Sequence, residues 1–331
     1  MYCLDTPLAD ESGYWWIPEE PSRRYPGRLS FDSKDGARLE LSVEKEAPSF
    51  SRGGEEFPLV HGVTNSGRDI TLVNCYLTQD RWSNVGISAQ TIFGHLAFDG
   101  FHLPSVEGEN VRSISAKVPF LSSWLGTTGI DVKHADDFQS FEITYRQVPP
   151  LIARIDPSIK MEISVRPASI PIAGGLGAEV KIRENIWLSL KPERPQSYRQ
   201  LLDSLHVAFD FFTFVCMDLC SAEDIQLEAN FCPRTLTGGT IIYPMAHFHY
   251  MPVYSPKKQR TPHPMDVPLK RSDLSDHLEP VLARWFETST QLRSVRVLYL
   301  SALYGDHPYV ENKFLAMCQA AEVFHRRFRR G

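Results

Sequence analysis

The sequence predicts an α+β protein, in which a large antiparallel β-sandwich or barrel-like N-terminal domain with one packed helix precedes an α-helical segment. Short strand patterns separated by turns, without intervening helices, fill residues 14–190, as is typical of antiparallel sandwiches and barrels. Beyond residue 270 the apolar residues recur at helical spacing instead. The predicted parts are a β-rich domain over 1–255, a linker over 256–269 and a helical domain over 270–331.

Two hairpins begin the predicted β-rich domain. In the first, Leu29 and Phe31 precede the turn Ser33–Gly36, and Leu39, Leu41 and Val43 follow it, each set alternating with polar residues. This pattern is a hairpin signal. In the second, the strands Val60–Thr64 and Ile70–Tyr76 flank an Asn-Ser-Gly turn. The same criteria predict further strands at 85–98, 111–118, 139–147, 159–166, 178–183, 185–191, 223–231 and 240–254.

Helix signals appear once before the linker and three times after it. Ser197 and Gln200 form a capping box ahead of a helix at about 198–217, which we expect to pack on the sheet. The linker is rich in proline and charge between residues 255 and 264, as domain boundaries often are. Three amphipathic patterns follow, at Leu278–Phe286, Leu292–Leu303 and Val310–Phe328.

Composition and charge exclude several classes of protein. A hydrophobic content of 42% and a charged content of 23% are ordinary for a soluble protein. The net charge of −5 excludes a uniformly basic nucleic-acid-binding protein. The chain shows no signal peptide and no apolar run long enough to cross a membrane, and its six cysteines are scattered. These features predict a cytoplasmic protein with reduced thiols, no metal and no cofactor.

The last predicted helix combines an apolar stripe with a basic end. The stripe consists of Val310, Phe314, Cys318, Ala321, Phe324 and Phe328, and such a stripe needs a partner that covers it. Arg326, Arg327, Arg329 and Arg330 follow it as a candidate phosphate or RNA site. Cations at a helix C-terminus are equally explained by the helix dipole. Both interpretations stay open.

Other residue pairs have weaker functional interpretations. His247 and His249 lie on one face of a predicted strand, as two metal ligands could, but no third ligand accompanies them. Cys216 and Cys220 are more typical of buried thiols than of a redox or zinc pair. The acidic pairs Glu19-Glu20 and Asp136-Asp137 could serve glycoside hydrolysis, although adjacent acids in loops are usually only solvated.

Two further patterns complete the set. Tyr14-Trp15-Trp16 could stack on a sugar or a base, although a first strand that fills one end of the sandwich with aromatic area is favoured. Arg271 and His277 have the spacing of an Arg/His ribonuclease pair but stand ahead of the helical bundle. The chain has no phosphate-binding loop, nucleophile elbow or nucleotide fingerprint. We therefore assign no catalytic residue.

Several segments form a recognisable series along the chain. They are Gly13–Pro18, Pro26–Phe31, His61–Cys75, Lys117–Phe120 with Trp124-Leu125, Trp285-Phe286, and a terminal pattern of Phe314-Leu315, Gln319, Glu322 and His325–Arg327. In order and spacing the series resembles the ApeA-like proteins of bacterial anti-phage defence by abortive infection. No single segment is highly specific, but the resemblance extends over nearly the whole chain.

This resemblance implies a two-part protein. Residues up to about 255 resemble the β-rich N-terminal domain of the family, and residues from about 270 resemble the beginning of its HEPN helical domain. In that family the HEPN domain is a metal-independent ribonuclease that uses an Arg-x4–6-His motif on a late helix. The motif is expected beyond the last helix of this chain, so the resemblance implies a partial HEPN bundle in a truncated or naturally short form.

The expected function is therefore that of a sensor and regulatory part of an abortive-infection HEPN ribonuclease, without nuclease activity in this chain. The resemblance also implies a phage protein as trigger, RNA contact through the helical region and a homodimer formed through that region. The alternative is a non-enzymatic β-sandwich module that binds a phage protein, a peptide or a sugar. An independent hydrolase would need two perturbed acids in one cleft, and no such pair stands out.

Overall fold

The structure is a computed structural model. It describes residues 10–32, 35–43, 50, 56–81, 88–134, 140–169, 182–250, 262–304 and 309–328. The described residues form two compact units, each discontinuous in sequence. The barrel unit lies within 1–112, 195–198 and 225–255, and the second unit lies within 113–194, 199–224 and 256–331. The predicted three-part division stays a prediction, and residues 256–261 of its linker lie outside the described ranges.

The strands and helices follow one another in chain order. The strands are β1 (Glu11–Trp16), β2 (Tyr25–Asp32), β3 (Gly36–Val43), β4 (Glu56–Thr64), β5 (Asp69–Arg81), β6 (Ser88–Asp99), β7 (Val111–Lys117), β8 (Ile130–His134), β9 (Phe141–Tyr145), β10 (Leu151–Asp156), β11 (Ile159–Ser169), β12 (Arg183–Pro192), β13 (Asp224–Ala229), β14 (Arg234–Thr235), β15 (Ile241–Ile242) and β16 (Met245–Tyr250). The helices are α1 (Leu121–Leu125), α2 (Tyr198–Cys216), α3 (Arg271–Leu274), α4 (Leu278–Thr288), α5 (Arg293–Tyr304) and α6 (Val310–Phe328).

Six strands of the barrel unit close into an antiparallel barrel. Their order is β6-β3-β2-β1-β4-β5, and β5 pairs in turn with β6, which completes the ring. Along β3, the buried Leu39 and Leu41 alternate with the exposed Arg38 and Glu40. This two-residue period points every second side chain into the interior. The core of the unit is therefore the inside of the barrel.

The strand β6 is shared between the barrel and an extension of its sheet. Its residues Ser88–Gly94 pair with β3, whereas Leu96–Asp99 pair with β16 along the same edge. β13 covers the far edge of β16. On its opposite edge β6 pairs with β5 from Ala89 to Asp99. Nearly the whole of β6 is thus hydrogen-bonded on both sides.

The second unit contains a four-stranded antiparallel sheet, β10-β11-β12-β7, a separate β8-β9 hairpin and most of the helices. Trp285 of α4 donates its indole N–H to the carbonyl of Val207 at 3.0 Å. Arg296 of α5 pairs with Asp210 at 3.0 Å. Both partners belong to α2, so α4 and α5 are fixed to that helix by polar contacts within a largely apolar interface.

These elements confirm the predicted α+β class: a β-rich barrel with additional strands and a C-terminal helical region. The helix expected at about 198–217 is α2. The short helices α1 and α3 were not predicted, because helices of five and four residues are too short to show a periodic pattern. The strand predicted at 178–183 falls mostly outside the described ranges. No helix in those ranges combines the length and the apolar character that a membrane span requires.

One glycine is required by packing inside the barrel. Gly62 of β4 lies opposite Trp15 of β1, and a Cβ on Gly62 would stand 2.1 Å from Trp15 Cε3. Trp15 is fully buried, so its ring has no room to withdraw. The absence of a side chain at Gly62 is therefore what allows the indole to fill this end of the core.

We predict that Gly62→Ala lowers the free energy of unfolding by about 3 kcal/mol, the cost of overpacking a closely packed core. The matched control is Gly94→Ala on β6, where the added Cβ would meet Leu72 Cβ at 3.4 Å, an ordinary contact. We expect little change in the control. Urea denaturation followed by tryptophan fluorescence measures both variants, and equal destabilisation would contradict the packing argument.

Candidate functional site

The outer face of the barrel carries an open groove of about 510 Å³. It crosses β2, β3, β6 and β5, and its residues include Ser30, Arg38 and Thr91, which alternate with core residues and so face outwards. Three carboxylates, those of Asp10, Asp32 and Asp35, also line it. A groove of this size on the outside of a sheet offers an extended surface rather than an enclosed catalytic pocket.

The aromatic wall of the groove continues beyond it along β5 and β6. Phe93 lines the groove and contacts Tyr76 and His95, with ring centroids 5.0 and 5.2 Å away respectively. His95 is held by a 2.9 Å hydrogen bond from its Nδ1 to the carbonyl of Asn74. Aromatic rings beside carboxylates are a combination that suits positively charged partners.

A second cluster, the histidine pair, lies in the barrel unit. The rings of His61 and His102 stack with centroids 4.6 Å apart and planes 17° apart. His61 Nε2 donates to the carbonyl of Leu103 at 3.0 Å, and His102 Nε2 donates to the carbonyl of Gly62 at 2.9 Å. These reciprocal bonds attach the segment after β6 to β4. Because carbonyls only accept, both Nε2 atoms carry protons and only Nδ1 remains to gain one.

The surroundings of the histidine pair favour the neutral form of His61. Trp16 meets both rings edge to face, and the Arg24 guanidinium lies 4.5 Å from the Trp16 ring centroid. Burial lowers the pKa of His61, and the neighbouring His102 lowers it further, against the raising effects of the Leu103 carbonyl, Glu19 and Asp69. The neutral form of His61 is therefore favoured, and the hydrogen bonds of the pair link β4 to the segment after β6.

A partly buried ion cluster joins three parts of the barrel. Arg68, in the turn between β4 and β5, pairs with Glu11 of β1 and with Asp99 at the end of β6. The Asp99 side chain is only 3% exposed. Burial raises the pKa of Asp99, whereas Arg68 and the nearby His247 act in the opposite direction. The cluster links β1, the turn before β5 and the end of β6 through one guanidinium group.

Two of the four predicted C-terminal arginines, Arg326 and Arg327, lie in the last turn of α6. Arg326 pairs with Glu322 at 2.5 Å in an exposed one-turn contact. Arg327 donates to the carbonyl of Gln291 and, at 3.3 Å, to the hydroxyl of Ser294, which ties α6 to the start of α5. Arg329 and Arg330 lie outside the described ranges. Phosphate binding by this cluster therefore stays a prediction.

The apolar stripe predicted on the same helix is largely exposed. Among the described side chains of α6 only Ala320 is buried, whereas Val310, Phe314 and Phe324 are exposed. The helix contacts α5. The homodimer through the helical region, in which a second copy would cover this face of α6, stays a prediction.

The histidines and cysteines singled out in the sequence are placed inside the fold. His247 of β16 is buried and lies opposite Asp99, and His249 contacts Phe31 with ring centroids 5.2 Å apart. Within the described ranges, no three His, Cys, Asp or Glu side chains are grouped closely enough to hold a metal ion. Burial raises the pKa of Cys216 to about 12 and that of Cys220 well above its usual value. Both thiols are therefore protonated and poorly reactive.

The structure describes some of the remaining candidate residues. Glu19 and Glu20 are exposed in a turn. Arg271 and His277 lie on successive short helical segments, and His277 is exposed. Asp136 and Asp137 lie outside the described ranges. In the aromatic run Tyr14–Trp16, the two tryptophans are buried while the tyrosine faces solvent.

Sequence reasoning missed the histidine pair and the ion cluster, and little in the sequence could have revealed them. Trp16 and His61 are cross-strand partners because β1 pairs with β4, a pairing between strands that are not consecutive. The alternating pattern of each strand shows which residues point inwards but not which strand lies next to it. The one local signal that could have pointed to the ion cluster is Arg68, a charged residue directly after the turn Asn65–Gly67.

The pKa of His61 leads to a pH prediction. Because the folded pKa lies below the ordinary value of 6.5, the unfolded chain binds more protons as the pH falls through that value. Stability is therefore lost on acidification, by at most about 1.4 kcal/mol per pH unit from this group. Chemical denaturation as a function of pH should show a shallower acid slope for His61→Gln than for the unsubstituted chain.

The comparison has a built-in control, since burial also lowers the pKa of His206. That histidine contributes acid sensitivity to both proteins, so only the difference between their slopes reports on His61. Identical slopes would show that the stacked pair makes no contribution.

Comparison with known proteins gives one family. No curated protein and no solved structure matches the chain. The family model described as ApeA N-terminal domain 1 matches residues 10–285, which include the whole described barrel unit, α2 and most of α4. The match covers well over half of the sequence. The chain therefore belongs to the ApeA N-terminal domain 1 family, which is associated with anti-phage defence.

Proposed function

We propose that the chain is the sensor and regulatory part of a cytoplasmic anti-phage abortive-infection ribonuclease. The observation that carries the proposal is the acidic and aromatic groove on the outside of a barrel that belongs to the ApeA N-terminal domain family. A sensor needs an accessible surface on a rigid support, and the closed barrel supplies such a support. The groove is the surface that receives the trigger.

The chemistry of the groove favours one kind of trigger, a positively charged segment of a phage protein. Asp10 is paired with Arg28 at 2.9 Å and Arg38 with Glu40 at 2.9 Å, so these two guanidinium groups are already engaged by carboxylates, and so is the carboxylate of Asp10. Asp35 is exposed at the rim of the groove. Lysine or arginine side chains of a trigger would meet the carboxylates of Asp32 and Asp35 and the Phe93 ring.

A second candidate function uses the same groove without any nuclease. In this case the chain is a non-enzymatic module that binds a phage protein, a peptide or a sugar. The groove favours it because four strands present polar and aromatic side chains across an open surface. The two candidates differ in the role of the helical region, which contacts RNA only in the first.

We predict that Asp32→Asn/Asp35→Asn weakens binding of a short oligolysine peptide by about tenfold, since two carboxylate contacts are lost. Fluorescence anisotropy with the purified chain measures the affinity. The matched control is Asp276→Asn/Glu311→Gln, which removes the same charge from exposed sites in the second unit. Equal weakening by both pairs would mean that net charge, and not the groove, attracts the peptide.

We predict that the purified chain binds single-stranded RNA weakly at low salt and does not cleave it. Arg326→Ala/Arg327→Ala should reduce the slope of log affinity against log salt by about 1.4, the value for two lost phosphate contacts on a single strand. Filter binding and gel electrophoresis measure affinity and integrity of the same RNA.

The control for the arginines is Arg23→Ala/Arg284→Ala, which removes two exposed arginines that each pair with a glutamate, as Arg326 does. An unchanged slope in the α6 variant would remove the RNA role of that helix. Cleavage that disappears in His277→Ala would overturn the regulatory assignment and make this chain the nuclease.

A further inference from the structure

The β8-β9 hairpin of the second unit has two chemically different faces. Ile130, Val132 and His134 lie opposite Tyr145, Ile143 and Phe141, and this face is mostly apolar. The alternating residues Asp131 and Lys133 lie opposite Thr144 and Glu142 on the other face. Glu184 of β12 fixes the base of the hairpin, because its carboxylate accepts from Thr128 Oγ1 at 2.6 Å and from the Gly129 amide at 2.8 Å.

The apolar face is exposed to an unusual degree. Val132 is 47% exposed, Ile143 38% and Phe141 66%. A two-stranded sheet by itself is only marginally stable in water and gains stability when a further strand or a packed surface is added. Contiguous exposed apolar side chains also mark interaction surfaces. The hairpin therefore has the properties of a two-stranded sheet to which a partner adds a strand or a packed surface.

The backbone of β8 shows where a further strand would attach. Arg146 donates its amide to the Gly129 carbonyl at 2.8 Å, which makes this a hydrogen-bonded pair. Such pairs alternate along an antiparallel ladder, so the backbone amides and carbonyls of Asp131 and Lys133 also point towards β9. The amide and carbonyl of Val132 consequently point to the opposite edge of β8, where the described part of the chain supplies no strand.

The sequence of β8 is complementary to itself in the antiparallel direction. If two copies of β8 pair about Val132, Asp131 of one chain stands opposite Lys133 of the partner subunit, and the reverse contact follows from the two-fold symmetry. Both ion pairs fall on the polar face, and the two Val132 residues exchange the central hydrogen bonds. The edge of β9 lacks this property, because pairing about Ile143 sets Glu142 opposite Thr144.

We propose that the open edge of β8 is the interface at which two copies of this chain associate, forming a four-stranded sheet across a two-fold axis. The occupant is a second copy because β8 is complementary to itself: pairing about Val132 sets each Asp131 opposite a Lys133. A short strand pair buries little area, so this is a weak, concentration-dependent dimer. The sheet places the apolar faces of both hairpins side by side, which creates a wider surface than either chain has.

The test is a charge exchange measured by sedimentation equilibrium at micromolar to sub-millimolar concentrations of the full chain. Asp131→Lys sets two lysines against each other at each contact and should weaken the dimer by about tenfold or more. Asp131→Lys/Lys133→Asp recreates opposite charges in the same register and should restore the association. Both side chains are exposed, and unchanged thermal unfolding checks that each variant is folded.

Phe314→Glu on the exposed face of α6 separates this interface from pairing through the helical region. The proposal requires this variant to associate as the unsubstituted chain does. A monomeric chain at all concentrations, a dimer that Phe314→Glu abolishes, or a double charge exchange that fails to restore association would each overturn the proposal. Oligolysine binding by the groove is independent of all three outcomes, so the proposed sensor function is tested separately.

Discussion

The pairing of β6 on both of its edges is the constraint on which the barrel unit depends. The strand closes the ring by pairing with β5, and along its other edge it exchanges β3 for β16 after Gly94. Backbone groups in a sheet interior must be paired, because an unpaired buried amide or carbonyl is costly. The position of β6 therefore fixes both the barrel, whose outer face carries the groove, and the extension that contains His247.

The ion cluster around Arg68 stabilises the same arrangement from one side. A single guanidinium joins β1, the turn before β5 and the end of β6 through Glu11 and Asp99. Its planar donors can serve two carboxylates at once, which a lysine could not do with the same geometry. The histidine pair adds a second link, from β4 to the segment after β6. Polar contacts between distant parts of the sequence thus join β1, β4 and the turn before β5 to the end of β6 and the segment after it.

The sequence contained enough information for the class of fold but not for its site. Alternation around Leu39 and Leu41 and the capping box at Ser197 are local signals, and each predicted a strand or helix that the structure contains. The groove combines β2, β3, β5 and β6, and the histidine pair combines β4 with residues after β6. Their members are brought together only by strand order, which local periodicity does not encode. The family resemblance, by contrast, rested on the order of short segments and needed no knowledge of pairing.

The late position of β16 in the chain has a consequence for how the protein is made. Four residues of β6, Leu96–Asp99, remain unpaired on this edge until Met245–Tyr250 is made, although the six barrel strands have all been synthesised by Asp99. Until then the nascent barrel presents unsatisfied backbone groups at Leu96–Asp99, and such an edge can recruit foreign strands. A chain whose translation stops between Asp99 and Met245 would have a closed barrel whose edge at Leu96–Asp99 stays unpaired and open to other strands. Completing the chain thus also protects it from aggregation.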